Sequence, residues 1–252
     1  MAQVIAMAGK GGTGKTTTTA LLLKYLRDRG LTPILAVDAD ANANLNELLA
    51  IKVESTLGEI RRDMKGDIPA GMSRDQFMEM RIHQSLTEEK GYDLLVMGQP
   101  DGPGCYCAAN QYLAMSMDRL SENYRYIVVD NEAGMEHLSR MNLRLVDYLL
   151  VVSDPSARGI LTARRIADLS DSLQLQVRKR FLIVNRAPEP LSPALQAHID
   201  EAVAEAKLPL GGIIPASEEL VQQELARRSY LDLPDDSPIL RRVYAMFDTI
   251  FG

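Results

Sequence analysis

Gly9-Lys10-Gly11-Gly12-Thr13-Gly14-Lys15-Thr16 decides the fold. The stretch fits the pattern G-x-x-x-x-G-K-[ST], and each residue type has a physical task. Glycines let the backbone wrap a phosphate and turn its N–H groups inward. A helix starting there adds its partial positive charge. Lys15 then reaches the outer phosphates, and the Thr16 hydroxyl ligates Mg²⁺. The local context agrees. An apolar run, Gln3–Ala8, reads as a strand entering the loop. From Gly14 to Arg29 a helical period puts Leu21, Leu22, Tyr25 and Leu26 on one face, and Gly30 is its C-terminal cap. Gly9 through Thr17 are therefore the expected nucleotide-binding segment.

Outward from this loop, strands and helices alternate. Strands are expected at Pro33–Val37, Tyr92–Met97, Tyr126–Val129 and near 147–152, 180–184 and 211–214. Helices are expected near 42–50, 111–121, 158–172, 192–206 and 217–228. Residues 52–90 are polar and weakly periodic, and read as irregular helices and loops. Gly98–Asn110 holds three Gly and two Pro, and reads as a long loop. The pattern predicts an α/β fold: one doubly wound, mostly parallel sheet flanked by helices. No Pro/Ser-rich linker and no internal repeat divides residues 1–252, so a single domain is expected. Ligands of such folds bind beyond the carboxyl ends of the strands.

Composition bounds the function. The 252 residues carry 28 Lys+Arg against 34 Asp+Glu, a formal net charge of −6. That balance offers no electrostatic footprint for nucleic acid. No apolar run approaches the roughly 18 residues of a membrane span, and no signal peptide is recognisable. A cytoplasmic protein without membrane or nucleic-acid partners is expected.

Lys10 is the unusual member of the loop. Lys-Gly-Gly-x-Gly-Lys-Thr resembles the deviant Walker A motif of the MinD/ParA/nitrogenase-iron-protein class of P-loop NTPases. The resemblance implies an ATP-dependent homodimer that hydrolyses ATP to ADP. Lys10 would reach across the dimer to the partner's nucleotide, supplying positive charge as the γ-phosphate leaves. Asp40, after the second strand, matches the aspartate that positions the attacking water and helps hold Mg²⁺. Asp38 reads as a structural or Mg²⁺-water contact. Asp130 closes the strand Tyr126-Ile127-Val128-Val129 and resembles the aspartate holding the Mg²⁺ water shell. Gly134 matches the flexible switch II, with a backbone N–H that senses the γ-phosphate. Asn185-Arg186 and Pro215 fall where the class reads adenine.

The two cysteines, Cys105 and Cys107, narrow the field. One intervening residue is too tight for an ordinary disulfide. Two thiolates are half of a tetrahedral site, and two chains about a two-fold axis would supply four. Zn²⁺, Ni²⁺, Cu(I) or an Fe–S cluster suit such ligands. The phosphate loop, Cys105-Tyr106-Cys107 and Asp130-Asn131-Glu132-Ala133-Gly134-Met135-Glu136-His137-Leu138 together resemble the CooC-type nickel-insertion ATPases, with their relative AcsF. This resemblance implies one Ni²⁺ between subunits, with Zn²⁺ competing for the site. It also implies a client nickel enzyme, carbon monoxide dehydrogenase or acetyl-CoA synthase. The sequence departs from relatives at Asp38-Ala39-Asp40-Ala41, where Pro often follows the second aspartate.

Other features read more plainly. His137 is a helix-terminal structural histidine or a relay of switch II. His83 and His198 are surface positions, and the methionines near the cysteines, Met97, Met115 and Met117, are core filler. Ile239–Phe251 is an amphipathic helix with few basic residues, which fits packing against the domain better than lipid binding. Two other functions remain open: an Fe–S electron-transfer ATPase like the nitrogenase iron protein, and a positioning ATPase of the MinD/ParA type.

Overall fold

The computed structural model describes residues 2–63, 69, 71–99, 105–134, 145–173, 175–205 and 208–252. Its first half holds β1 (Gln3–Gly9), α1 (Lys15–Asp28), β2 (Ile34–Asp38), α2 (Leu45–Leu48), α3 (Leu57–Asp63), α4 (Arg74–Gln84), β3 (Thr87–Glu89), β4 (Tyr92–Val96), α5 (Cys105–Leu120) and β5 (Tyr126–Asp130). Its second half holds β6 (Leu145–Ser153), α6 (Ala157–Ser172), β7 (Gln176–Ala187), α7 (Pro193–Glu205), β8 (Leu210–Pro215), α8 (Glu218–Leu225) and α9 (Pro238–Phe251). Eight strands form one sheet in the order β3-β4-β2-β5-β1-β6-β7-β8. Every pairing is parallel except β3 with β4. The expected α/β class and the mostly parallel sheet are both present.

The sheet is covered on both faces at its centre, so β2, β5 and β1 are largely apolar and buried. Alternation along β1 sends Ile5 and Met7 into one core with Leu21, Leu22 and Phe247. Ala6 and Ala8 go into the other, with Leu113, Ile160 and Ile199. The amphipathic C-terminal helix packs as expected: Ile239, Leu240, Val243, Met246, Phe247 and Ile250 of α9 are all buried. Strand order departs in both directions from β1, which puts the loop after β1 in the crevice where such folds bind ligands.

Three expectations need correction. The segment 52–90, read as irregular helices and loops, has the expected helices and also an unexpected strand. It contains α3, a capping-box helix α4 in which Ser73 and Gln76 bond reciprocally, and the antiparallel edge strand β3. The expected strand and helix ends shift by a few residues, the largest shift among the strands being at β7, which extends over Gln176–Ala187. The third concerns the cysteines. They do not lie in a loop, because α5 begins at Cys105. Every Gly and Pro of 98–110 falls at or before Gly104. Nothing in the sequence Cys105–Asn110 breaks a helix, which lets α5 include both cysteines. The side chains of Cys105 and Cys107 lie outside the described residues, as does His137.

Candidate functional site

The loop between β1 and α1 has the backbone its glycines permit. Gly12 and Gly14 have φ of 78° and 92°, in the left-handed region that favours glycine. The α1 sequence Lys15-Thr16-Thr17-Thr18-Thr19 has poor helix propensity. Its hydroxyls are accommodated by bonding back one turn: Thr18 Oγ1 donates to the Gly14 carbonyl at 2.9 Å and Thr19 Oγ1 to the Lys15 carbonyl at 3.0 Å. Inside the loop, Thr13 Oγ1 donates to the Lys10 carbonyl at 2.9 Å. Lys15 is 8% exposed, and its Nζ rests 3.4 Å from the carbonyl oxygens of both Gly9 and Lys10. Burial lowers its pKa, against the opposing pull of Asp130 and Asp40. The Lys10 side chain is exposed.

Three carboxylates face this loop from the ends of β2 and β5. Asp130 accepts from the Thr16 hydroxyl and, at 3.3 Å, from Thr19 Oγ1. Burial, and then the charge of Asp38, push its pKa up to about 7. Asp38 is fully buried and accepts the backbone N–H of Leu45 at 2.8 Å and of Asp40 at 3.1 Å. Of its two expected roles, the geometry supports the structural one: it folds the turn between β2 and α2. Burial pushes Asp38 up to about 6. Asp40 is partly exposed on the cleft and accepts from the backbone and side chain of Asn42. Thr16, Asp40 and Asp130 are oxygen donors only, a set that suits Mg²⁺. A bound dication would favour the ionised form of Asp130 that burial disfavours.

The segment after β5 is docked on the loop. The Gly134 N–H donates to the Gly9 carbonyl at 3.0 Å, with Gly134 at φ 93°. At the end of β7, Asn185 Nδ2 donates to the Thr13 carbonyl at 2.9 Å, and its Oδ1 accepts the Arg186 N–H at 3.0 Å. Arg186 adopts φ 55° and its guanidinium donates to the Gly12 carbonyl. Asn185 thus braces the phosphate loop from behind. Pro215 ends β8 beside Ala187.

These parts enclose a cleft of about 1270 Å³. Its lining includes Gly11, Gly12, Gly14, Lys15, Thr16, Thr17, Asp40 and Arg186. Asn185 and Pro215 are not among the lining residues. Sequence reasoning missed the opposite wall. There, Leu48 at the end of α2 and Ile51 and Lys52 after it line the cleft together with Val221, Leu225, Arg227 and Arg228 of α8 and its end. Leu225 is 72% exposed. The available signal was the pair Arg227-Arg228 directly after a helix end, beside apolar residues that the core leaves uncovered. Among the described residues, no three His, Cys, Asp or Glu side chains form a metal-binding group. No helix of the described residues is long and apolar enough to cross a membrane.

Comparison with known proteins agrees with this geometry. An uncharacterized ATP-binding protein of Methanocaldococcus jannaschii is 38% identical over 254 residues, covering 99% of this chain and 98% of that protein. The carbon monoxide dehydrogenase accessory protein CooC of Rhodospirillum rubrum is 29% identical over 192 residues, 68% of this chain and 70% of that one. The septum site-determining protein MinD of Pyrococcus horikoshii, solved with Mg-ADP, superposes with a TM-score of 0.74 at 21% identity, over 100% of this chain and 97% of that chain. Residues 4–229 match the family described as the CobQ/CobB/MinD/ParA nucleotide binding domain. The chain belongs to this family and is a nucleotide-binding P-loop ATPase.

Proposed function

We propose that this ATPase is a nickel-carrying metallochaperone. In this reading, Cys105 and Cys107 of two copies hold one Ni²⁺, and ATP turnover controls its release to a nickel enzyme. The supporting observation is the placement of the cysteine pair in the first turn of α5, in the connection leaving the carboxyl end of β4. A helix N-terminus stabilises thiolates, the form that binds metal. The similarity to CooC, whose name ties it to carbon monoxide dehydrogenase, supports the same cargo and a client of the carbon monoxide dehydrogenase or acetyl-CoA synthase type. Zn²⁺ would compete for the same thiolates.

Within the cleft, the roles follow from charge and position. Lys15, Thr16 and the loop N–H groups bind the phosphates. Thr16, Asp40 and Asp130 would hold Mg²⁺ and its water shell, and Asp40 would also orient the attacking water. Mg²⁺ supplies charge neutralisation on the phosphates when bound. Lys10, exposed beside the cleft, is free to serve a second subunit. The base lies toward Arg186 and the α8 wall, with Asn185 fixing the loop behind it and Pro215 closing β8. Gly134, released from the Gly9 carbonyl when nucleotide arrives, transmits the state of the γ-phosphate.

A positioning ATPase of the MinD type is the second reading, favoured by the likeness to solved MinD structures. It gives the cysteines no role. An anaerobic Ni²⁺ titration with ADP and with a non-hydrolysable ATP analogue separates the two. The metallochaperone reading expects one Ni²⁺ per two chains, an affinity that differs between nucleotides, and loss of binding in Cys105→Ser/Cys107→Ser. Nickel binding that survives the double substitution, or none at all, overturns it.

A further inference from the structure

Asn131 follows Asp130 at the carboxyl end of β5 and lines the nucleotide cleft, yet it is only 1% exposed. Its Nδ2 donates to the Met7 carbonyl at 2.7 Å and approaches the Val129 carbonyl at 3.4 Å. Two carbonyl acceptors on one end fix the orientation of the amide, since an oxygen there would face their lone pairs. The other end, Oδ1, is buried and has no hydrogen-bond partner among the described residues. A buried acceptor left unpaired is costly and calls for a ligand or an ordered water.

The surroundings narrow what that ligand is. Asn131 begins the segment whose Gly134 N–H is bonded to the Gly9 carbonyl, so the amide sits where switch II meets the phosphate loop. Asn131 and Ala133 line the cleft together with Gly11, Lys15 and Thr16. The phosphate oxygens of a nucleoside triphosphate accept hydrogen bonds and cannot satisfy another acceptor. Lys15 Nζ is directed at the Gly9 and Lys10 carbonyls. The donors that a Mg²⁺–nucleotide brings to this end of the cleft are water molecules, either those on the metal or the one that attacks phosphorus.

We propose that Asn131 is a positioning residue: its Oδ1 accepts a hydrogen bond from a water at the phosphate end of the bound Mg²⁺–nucleotide, while its Nδ2 anchors the amide to β1. The inference rests on the nucleotide reading of the cleft and is independent of any metal cargo. Loss of such an outer contact reduces metal affinity or turnover by roughly 10- to 100-fold.

Two measurements test it. In Asn131→Leu, the melting temperature falls because the Met7 carbonyl loses its donor, while the Mg²⁺-free affinity for ADP stays near wild type. A raised half-saturating Mg²⁺ concentration then assigns the metal-bound water, and a lowered kcat at unchanged Mg²⁺ dependence assigns the attacking water. If neither parameter moves, or if Mg²⁺-free ADP affinity falls in step with kcat, the amide is only a brace and the proposal is overturned. The second measurement needs no variant. Crystals of the wild-type protein with Mg²⁺ and a non-hydrolysable ATP analogue should show a water 2.7–3.2 Å from Asn131 Oδ1. Nucleotide bound in the cleft with Oδ1 dry overturns the proposal while leaving the ATPase reading intact.

Discussion

Asp38 and Asp130 stand opposite each other, as register partners across the parallel pair β2 and β5, and both are buried. Burial raises the pKa of both carboxyls, and the charge of Lys15 offsets the rise only in part at Asp130. The native state therefore holds protons on this pair that the unfolded chain has released. Raised carboxyl pKa values stabilise the fold below the unfolded value near 4, and that contribution is lost as pH rises through about 6 for Asp38 and about 7 for Asp130. The melting temperature of nucleotide-free protein should fall by several degrees between pH 5 and pH 8, and Asp130→Asn should flatten the upper part of that slope. Mg²⁺-ADP should stabilise more at pH 8 than at pH 5, because it binds the ionised form. Calorimetry across this range checks both signs.

Gly14 admits no larger residue. Its φ is 92°, and a Cβ there would collide with Asn185 Nδ2. Gly14→Ala should cost about 1–3 kcal/mol from backbone strain alone, with the collision added, and should abolish binding of a fluorescent ADP analogue. Asn185→Ala removes the partner of the Thr13 carbonyl and should cost about 1–3 kcal/mol with weakened nucleotide binding. Thermal unfolding and equilibrium titration read the two effects separately.

The two loop lysines should separate by function. Lys15 is buried among phosphate-facing groups, so Lys15→Ala should abolish ATP binding. Lys10 is exposed, so Lys10→Ala should bind ATP normally while losing ATP-driven dimerisation and turnover, the latter by on the order of 10³-fold. Light scattering with ATP and a phosphate-release assay test this. A monomeric Lys10→Ala protein with wild-type turnover would remove the lysine from the mechanism.

The docking of α9 should depend on its rings rather than its charges. Phe247 is fully buried and its ring lies 5.3 Å from that of Tyr25. Phe247→Ala should cost about 3–5 kcal/mol. The Arg29–Asp248 pair joins the same two helices, but both side chains are about half exposed. Arg29→Ala should cost under about 1 kcal/mol, reduced further by salt. Chemical denaturation of the two variants distinguishes them.

The sequence by itself determined the features whose cause is local. The phosphate loop is contiguous, its glycines permit the backbone it needs, and a strand and a helix flank it. The α/β class followed from alternating apolar runs, and the buried face of α9 from a helical period. Tertiary structure decided what depends on distant partners. Asn185 braces Thr13 across 172 residues of chain because β7 lies two strands from β1, a sheet order that no local pattern encodes. The α8 wall with Arg227 and Arg228 joins the cleft for the same reason. The edge strand β3 forms because β4 offers an unpaired side, which rescues a three-residue segment too short to announce itself. The cysteines open a helix because the last breaker is Gly104, a boundary that composition averaged over the whole segment obscured.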